Sequence, residues 1–203
     1  MSTATLPPWN IDEPPPLPVR RFTVQEYEHL AEIGMLTPDD RVELLEGWIV
    51  PKMAHNPLHD GTIQIIVNKL RSLLPSGWCD RVQSATSLPD SAPEPDIVIA
   101  RGDERSFIRR HPNASDIGLV IEVADSSLDR DRDTKARLYA RAGIPVYWIV
   151  NLIDRQVEVH TDPTGPADEP EYRRVENVPA DADVEFALDG NAIARLNVAD
   201  LLP

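Results

Sequence analysis

Two hydrophobic periodicities run along this chain and predict its main elements. An apolar stripe at helical spacing predicts a helix from about residue 58 to 74; it consists of Ile63, Ile66, Val67, Leu70 and Leu74. Three short runs, PEPDIVIA, GLVIEVAD and PVYWIVNL, are almost continuously apolar at their centres. Runs of this length are typical of strands whose two faces are both buried.

Capping and turn residues predict the first elements of the chain. Thr23 is followed three residues later by Glu26, a capping box that predicts a short helix ending near Gly34. The segment RVELLEGWIVP indicates two short strands joined at Glu46 and Gly47. Glu46 then lies in the turn, where it is expected to be solvated.

The rest of the chain alternates in the same way. A strand is predicted around residues 79–87, and a helix over 130–142 that Gly143 ends. PVYWIVNL and QVEVHTD indicate a hairpin, further antiparallel strands run from EYRRVENVP to FALDG, and VADLLP closes with a helical turn. This order predicts a mixed α/β fold, a core sheet flanked by helices with additional antiparallel strands.

The N-terminal residues form a separate region. Residues 1–20 contain six prolines without periodicity, so residues 1–21 are predicted to be an arm, either disordered or in polyproline conformation. Residues 22–203 are expected to form a single domain. A length of 203 residues with 41% apolar residues suits one core. The sequence leaves open whether the arm is free or clasps a neighbouring subunit.

Composition excludes several classes of protein. No run of eighteen apolar residues and no signal-peptide pattern is present, so no membrane association is expected. A single cysteine, Cys79, rules out an internal disulfide framework and suits a reducing cytoplasm. The chain also has no nucleophile elbow, P-loop or zinc-binding spacing.

The net charge of −14 argues against nucleic acid as a partner, because phosphate contacts need Lys and Arg. The acidity is unevenly distributed, however. Residues 1–57 hold nine acids and four bases, residues 153–203 hold twelve and four, and residues 58–152 hold thirteen and twelve. The nearly neutral central part therefore weakens a nucleic-acid hypothesis without removing it.

A glutamate in the middle of an apolar strand is the strongest sign of chemistry. Glu122 lies inside GLVIEVAD, where an unpaired carboxylate costs several kcal/mol. Asp96 opens the preceding apolar strand after Pro95. If the strands are neighbours, the two carboxylates converge, and a divalent cation such as Mg²⁺ or Mn²⁺ offsets their repulsion. Replacing either by its amide is then expected to leave metal-free stability unchanged or higher. Alternatively, Asp96 is a turn residue and Glu122 pairs with a nearby arginine.

Three further residues are candidates beside this pair. Lys135 shares a helical face with Leu138, Tyr139 and Ala142, whereas Arg130, Arg137 and Arg141 project elsewhere. The lysine therefore either points inward to stabilise phosphate charge or packs its stem with the ammonium in solvent. Glu43 is favoured over Glu46 for an inward role. His59 is either a hydrogen-bond donor or general base at the site, or a packed residue at the helix start.

The ordered set PD, LVIEVADSS and DRDTKARLYARAGIPVYWIVN resembles the Uma-type putative restriction endonuclease family of the PD-(D/E)XK nuclease superfamily. The resemblance runs from about residue 22 to the C-terminus and includes the RVELLEGWIV hairpin and VADLLP. It implies a restriction-endonuclease-like core, a divalent metal and hydrolysis of DNA phosphodiesters. Ala124 stands where the superfamily usually has its lysine, and the resemblance implies Lys135 as the substitute.

By this resemblance, Asp96 and Glu122 hold Mg²⁺ or Mn²⁺ with the backbone carbonyl of Val123, and Glu43 holds or orients a second ion. The residues expected to support the site or contact DNA are His59, Arg101, Arg130, Arg137 and Tyr139. The arginines that follow the two strands are expected to make the local potential positive, unless interleaved acids balance them.

The sequence therefore predicts a metal-dependent DNA endonuclease of the cytoplasm. It is expected to be a homodimer, so that two sites meet the two strands of a duplex. A catalytically inactive binding or regulatory protein with the same fold is the alternative, which the net charge and Ala124 favour. A third interpretation is an acidic protein that binds a basic partner through its two ends.

Overall fold

A computed structural model describes residues 19–53, 56–103 and 105–203 of the chain. Most of the predicted N-terminal arm, residues 1–18, lies outside the described residues. No helix in the described part of the chain is long and apolar enough to span a membrane.

Three helices and ten strands make up the described chain. The helices are α1 (Val24–Glu32), α2 (Pro57–Arg71) and α3 (128–142), which consists of an α-helical turn Leu128–Arg130, a π-helical segment Asp131–Lys135 and an α-helix Ala136–Ala142. The first five strands are β1 (Val42–Leu45), β2 (Trp48–Pro51), β3 (Trp78–Val82), β4 (Ile97–Arg101) and β5 (Ile117–Ala124). The others are β6 (Val146–Asn151), β7 (Gln156–Pro163), β8 (Tyr172–Pro179), β9 (Asp183–Leu188) and β10 (Asn191–Asn197). Single 3₁₀ turns are Pro38–Asp40, Ala114–Asp116 and Val198–Leu201.

A six-stranded sheet in the order β3-β4-β5-β6-β7-β8 forms the centre of the fold. All its neighbouring strands are antiparallel except β5 and β6, which run parallel because α3 connects them as a crossover. Two separate hairpins, β1-β2 and β9-β10, complete the chain. The predicted mixed α/β fold with additional antiparallel strands is confirmed.

Both faces of the central sheet are covered, which explains the apolar runs in the sequence. One face packs against α2 and the β9-β10 hairpin, with Ile66, Trp148 and Phe186 fully buried between them. The other face packs against α3 through residues such as Tyr139 and Tyr147. All eight residues of β5 are buried, so this strand shows no alternation of apolar and polar positions.

The predicted helix starts are confirmed, and the boundaries differ by a few residues. Thr23 and Glu26 form the reciprocal capping box of α1. Helix α2 begins after Asn56, whose side chain accepts a hydrogen bond from the His59 N–H, and it ends at Arg71 rather than near residue 74. Helix α3 begins at Leu128, two residues earlier than predicted.

The predicted strand over residues 79–87 is shorter than expected, because β3 ends at Val82. Gln83 follows with a positive φ of 44°, a left-handed conformation that ends the regular extended chain. The β1-β2 turn has positive φ at both Glu46 and Gly47, as a two-residue hairpin turn requires. A Cβ on Gly47 would lie 2.5 Å from the Cβ of Arg21, so only glycine fits there.

Candidate active site

The antiparallel pairing of β4 and β5 brings the two predicted carboxylates together. Ile97 pairs with Ile121, so Asp96, one residue before β4, lies opposite Glu122. Both side chains are buried, with 6% and 3% of their surface exposed. They lie at the bottom of a cleft where β4 begins and β5 approaches its end. The cleft is lined by Glu43, Lys52, Met53, Asn56, His59, Gln83, Glu94, Asp96, Glu122, Asp125, Ser126, Ser127, Arg130, Asp131 and Lys135.

Asp96 is held as a carboxylate by two hydrogen bonds to the same oxygen. The backbone N–H of Val123 donates to its Oδ2 at 2.8 Å, and His59 Nε2 lies 3.1 Å from that atom. Burial alone would raise the pKa of Asp96, but the His59 hydrogen bond and the charge of Lys135 outweigh it and keep the pKa below its usual value. The same contact raises the pKa of His59 against the opposing effect of its burial.

Glu122 is paired differently, with two side chains of helix α3. Lys135 Nζ and the Tyr139 hydroxyl each donate to Glu122 Oε1 at 2.7 Å. Burial raises the pKa of Glu122 to about 8, because desolvation together with the nearby carboxylates Asp96 and Asp131 outweighs the lysine charge.

Lys135 points into the site and is 7% exposed. Burial alone would lower the pKa of its ammonium, but Glu122, Glu43 and Asp131 outweigh this effect and raise it. Lys135 is therefore a charged hydrogen-bond donor and not a base. Of the two orientations that the sequence allowed, the inward one is the one observed.

The π-helical segment in α3 determines which side chains reach the cleft. The backbone N–H of Ala136 donates to the carbonyl of Asp131, five residues earlier, as a π-helical turn requires. Arg130, five residues before Lys135, consequently lines the cleft with Asp131. The expectation that Arg130 projects elsewhere was wrong, because it assumed regular α-helical spacing over 130–142.

Glu43 and Arg130 form one wall of the cleft. Glu43 is 3% exposed, its Oε2 accepts a hydrogen bond from the Glu94 N–H at 3.2 Å, and its Oε1 lies 3.8 Å from Arg130 Nη1. Arg130 also donates to the carbonyl of Pro51 at 3.3 Å. At the rim, Lys52 pairs with Glu94.

The chain is similar to known proteins in sequence and in fold. The Uma2 family, described as a putative restriction endonuclease, matches residues 24–194. The chain belongs to the Uma2 family. No curated protein matches it at significant similarity.

A solved structure shows the fold of this Uma2 protein independently. The crystal structure of a putative nuclease belonging to DUF820 from Anabaena variabilis ATCC 29413 superimposes with a TM-score of 0.65 at 18% sequence identity. The match covers 85% of this chain and 96% of that one. The restriction-endonuclease-like resemblance is thus confirmed at the level of family and fold.

Two of the predicted arginines lie away from the cleft of the Uma2 protein. Arg101 is at the far end of β4, five residues and roughly 16 Å from Asp96, where it pairs with Asp189 and covers the Trp78 ring. Arg137 pairs with Glu46 at 3.0 Å on the outer side of α3. The expectation that these side chains surround the site was wrong, because both are committed to structural ion pairs.

Glu46 itself was expected to be solvated, and this was also wrong. Arg137 and Arg141 both contact its carboxylate, and the pKa of Glu46 is lowered, mainly by the hydrogen bond from Arg137. The hairpin turn is thereby tied to helix α3.

Asp131 is the site residue that the sequence reasoning missed. Its side chain is 1% exposed, lies 4.0 Å from Lys135 Nζ and accepts a hydrogen bond from Ser127 Oγ at 2.6 Å. Burial raises its pKa despite the nearby lysine. The sequence carries a signal for it, since Asp131 lies four residues before Lys135 and therefore on the same face of a regular helix.

The cleft is acidic, contrary to the expected positive potential. Its lining includes six carboxylates, those of Glu43, Glu94, Asp96, Glu122, Asp125 and Asp131, against the three cations Lys52, Arg130 and Lys135. Such a cleft attracts cations and repels a bare phosphate.

The donor set suits a hard divalent cation. Asp96 and Glu122 supply carboxylate oxygens, and the backbone of Val123 contacts Asp96 through its N–H. Among the described residues, no three His, Cys, Asp or Glu side chains form a ready-made metal site. The two carboxylates Asp96 and Glu122 match the one or two that Mg²⁺ commonly binds while it completes its shell with water and phosphate oxygens.

Proposed function

We propose that this Uma2 protein is a metal-dependent endonuclease that hydrolyses DNA phosphodiester bonds. The observation that carries the proposal is the buried pair Asp96 and Glu122, which faces a cleft next to the ammonium of Lys135. Membership of a family described as putative restriction endonucleases supports it. A homodimer is a further expectation, which follows from the need to cut both strands of a duplex. A cytoplasmic location is expected from the single cysteine, Cys79.

The divalent ion would be held by Asp96, Glu122 and the Val123 carbonyl, with Glu43 available for a second ion. Bound there, Mg²⁺ or Mn²⁺ supplies an acidified water and compensates phosphate charge. The protein residues have separate roles. Val123 N–H and His59 keep Asp96 ionised and fixed in position, and Tyr139 orients Glu122.

Lys135 acts as a donor in this proposal. Because its pKa is raised, it is suited to orient the attacking water or to stabilise charge on the phosphate, and not to remove a proton. Arg130 lies at the cleft with 31% of its side chain exposed and is the residue best placed for a phosphate contact. Arg101 and Arg137 do not line the cleft, so any contact that they make with DNA lies outside it.

A catalytically inactive binding or regulatory protein with the same fold is the second candidate. The observation that favours it is the acidic cleft in which Lys135 already bonds to Glu122, so that a metal has to displace or share this contact. This candidate predicts no Mn²⁺ site, or a site without cleavage.

The experiment is calorimetric titration of Mn²⁺ into the wild type and the Asp96→Asn variant, followed by plasmid cleavage with the same samples. We expect binding and metal-dependent nicking in the wild type and the loss of both in Asp96→Asn. Asp200→Asn is the matched control, because Asp200 is exposed and pairs with Lys69 on the surface. Binding without cleavage would favour the second candidate, and the absence of binding would remove the metal site.

A further inference from the structure

Strand β8 forms an open edge of the central sheet. Strand β7 pairs with one side of it, and within the described residues no strand pairs with the other side. The five side chains from residue 173 to 177 are all exposed, and Val175 has 54% of its surface exposed. An edge strand of eight residues presents unpaired backbone N–H and C=O groups, which a second strand can complete.

The sequence of β8 is complementary to itself when it is read in the antiparallel direction. With Val175 of two copies facing each other, Arg174 of one copy lies opposite Glu176 of the other, and the same pair repeats by symmetry. Residues directly opposite in an antiparallel pair point to the same face, so these charges meet. Neither Arg174 nor Glu176 has an ion-pair partner among the described residues.

The opposite edge of the sheet, strand β3, lacks this property. Centred pairing of two copies of Trp78–Val82 would place Asp80 directly opposite Asp80, which is repulsive. Asp80 is also already committed to a bidentate contact with Arg71. In addition, every side chain of β3 is at least partly buried, in contrast to the exposed centre of β8.

We propose that two copies of this protein associate through β8, antiparallel, with the two Val175 residues on the twofold axis. The two six-stranded sheets would then become one continuous sheet through an isologous interface. This inference gives the surface for the dimer expected of the proposed nuclease, but it depends on the sheet edge and not on catalysis.

Charge reversal at β8 tests the pairing. The molar mass of the full chain is measured by analytical ultracentrifugation over a wide concentration range. We expect the wild type to dimerise, and Arg174→Glu and Glu176→Arg each to weaken association at least about tenfold, because each places like charges opposite each other twice. The double variant R174E/E176R restores the complementary pairs and should dimerise again.

Mixing the two single variants gives the sharpest result. A chain with Arg174→Glu and a chain with Glu176→Arg are complementary only to each other, so the mixture should form heterodimers although each variant alone is monomeric. Arg109→Glu is a matched control in the exposed loop between β4 and β5, distant from β8 in the strand order, and should leave the mass unchanged. Circular dichroism melts of all variants verify that they are folded.

A covalent test fixes the register. Val175→Cys should form an intermolecular disulfide on oxidation, since each new thiol faces its own copy, whereas Arg173→Cys faces Asn177 and should not. A wild type that is monomeric at every concentration, or a dimer that neither charge reversal affects, would overturn the proposal and leave the edge to another occupant. Because mass and cross-linking are measured, a lack of nuclease activity would not change this result.

Discussion

The two carboxylates at the centre of the cleft face each other across adjacent strands but differ in how they are stabilised. Asp96 accepts hydrogen bonds as an anion, whereas Glu122 shares a buried group of carboxylates with a single lysine. The two carboxylates therefore differ in their hydrogen-bond partners and in their electrostatic surroundings, a difference that the sequence does not indicate.

Substitution of each carboxylate by its amide should show this difference. The sequence predicts that neither amide lowers the stability of the metal-free protein, and the structure changes this expectation for Asp96. We expect Asp96→Asn to lower the free energy of unfolding by about 1.5–3 kcal/mol, because its bonds to Val123 N–H and His59 lose their charge assistance. Glu122→Gln should change it by less than about 1 kcal/mol, since the amide oxygen still accepts from Lys135 and Tyr139. Urea denaturation measures both. A larger loss in Glu122→Gln than in Asp96→Asn would contradict this assignment.

His160 should make stability depend on pH. It is 6% exposed between Tyr147 and Tyr172, burial lowers its pKa, and its Nε2 has no hydrogen-bond partner among the described residues. The pKa of His160 in the folded state is below the unfolded value of about 6.5, so the unfolded chain binds a proton more readily than the folded protein. The free energy of unfolding is therefore highest above pH 6.5 and decreases as the pH falls from 6.5 toward the folded-state pKa. His160→Phe should therefore gain stability relative to wild type between neutral and mildly acidic pH.

Unfolding free energies of the wild type and His160→Phe at several pH values test this sign. His29→Gln is the control, because His29 lies exposed on α1. A difference between wild type and His160→Phe that is independent of pH would show that His160 does not titrate in this way.

At the scale of elements, the π-helical segment of α3 is the feature that shapes the site. Arg132, inside this segment, donates two hydrogen bonds to Glu158 on β7, at 2.9 and 2.6 Å. Asn151 donates to the same carboxylate at 2.7 Å, so the segment is tied to the ends of β6 and β7. The Arg132–Glu158 pair is thus an anchor for the segment, and Asp131 and Lys135 lie on either side of Arg132 in the chain.

Breaking the anchor should destabilise the protein. We expect Glu158→Gln to lower the free energy of unfolding by about 2 kcal/mol, less than for a fully buried ion pair because Arg132 is 41% exposed. Asp162→Asn, which breaks the exposed pair with Arg173, should cost less than about 0.5 kcal/mol. Equal effects of the two variants in urea denaturation would argue against the anchor.

At the scale of the whole molecule, the negative net charge of the chain opposes the binding of DNA. The chain has a net charge of −14, and the cleft lining is acidic as well. Binding of a polyanion therefore requires that the cleft charge first be compensated.

DNA binding should consequently depend on a divalent cation. We expect Ca²⁺ to raise the affinity for duplex DNA at least about tenfold over EDTA in the wild type, and to have no such effect in Asp96→Asn. Fluorescence anisotropy at constant ionic strength measures this, with Asp200→Asn as the control. Equal affinity with and without Ca²⁺ would mean that DNA binds elsewhere.

The local signals in the sequence were enough to predict most elements and the central pair. Each of these signals depends on interactions between residues that are close in sequence. They are the capping box at Thr23, the apolar stripe in α2 and the apolar runs of β4 and β5. Glu122 stood out because a charge inside an apolar strand needs a compensating partner. From these signals came the fold class and the pairing of Asp96 with Glu122. The family followed from the resemblance of the ordered motifs, and the inward orientation of Lys135 was one of two alternatives.

Only the tertiary structure decided which partners these groups have. The π-helical segment of α3 brings Arg130 to the cleft beside Asp131, and ion pairs with distant residues hold Arg101 at Asp189 and Arg137 at Glu46. Such contacts join residues far apart in the chain, and their free energy depends on burial and distance, which no local pattern reports. The sequence by itself therefore determined which chemical groups are present and roughly where, and the packing of α3 on the sheet decided their charge states and their neighbours.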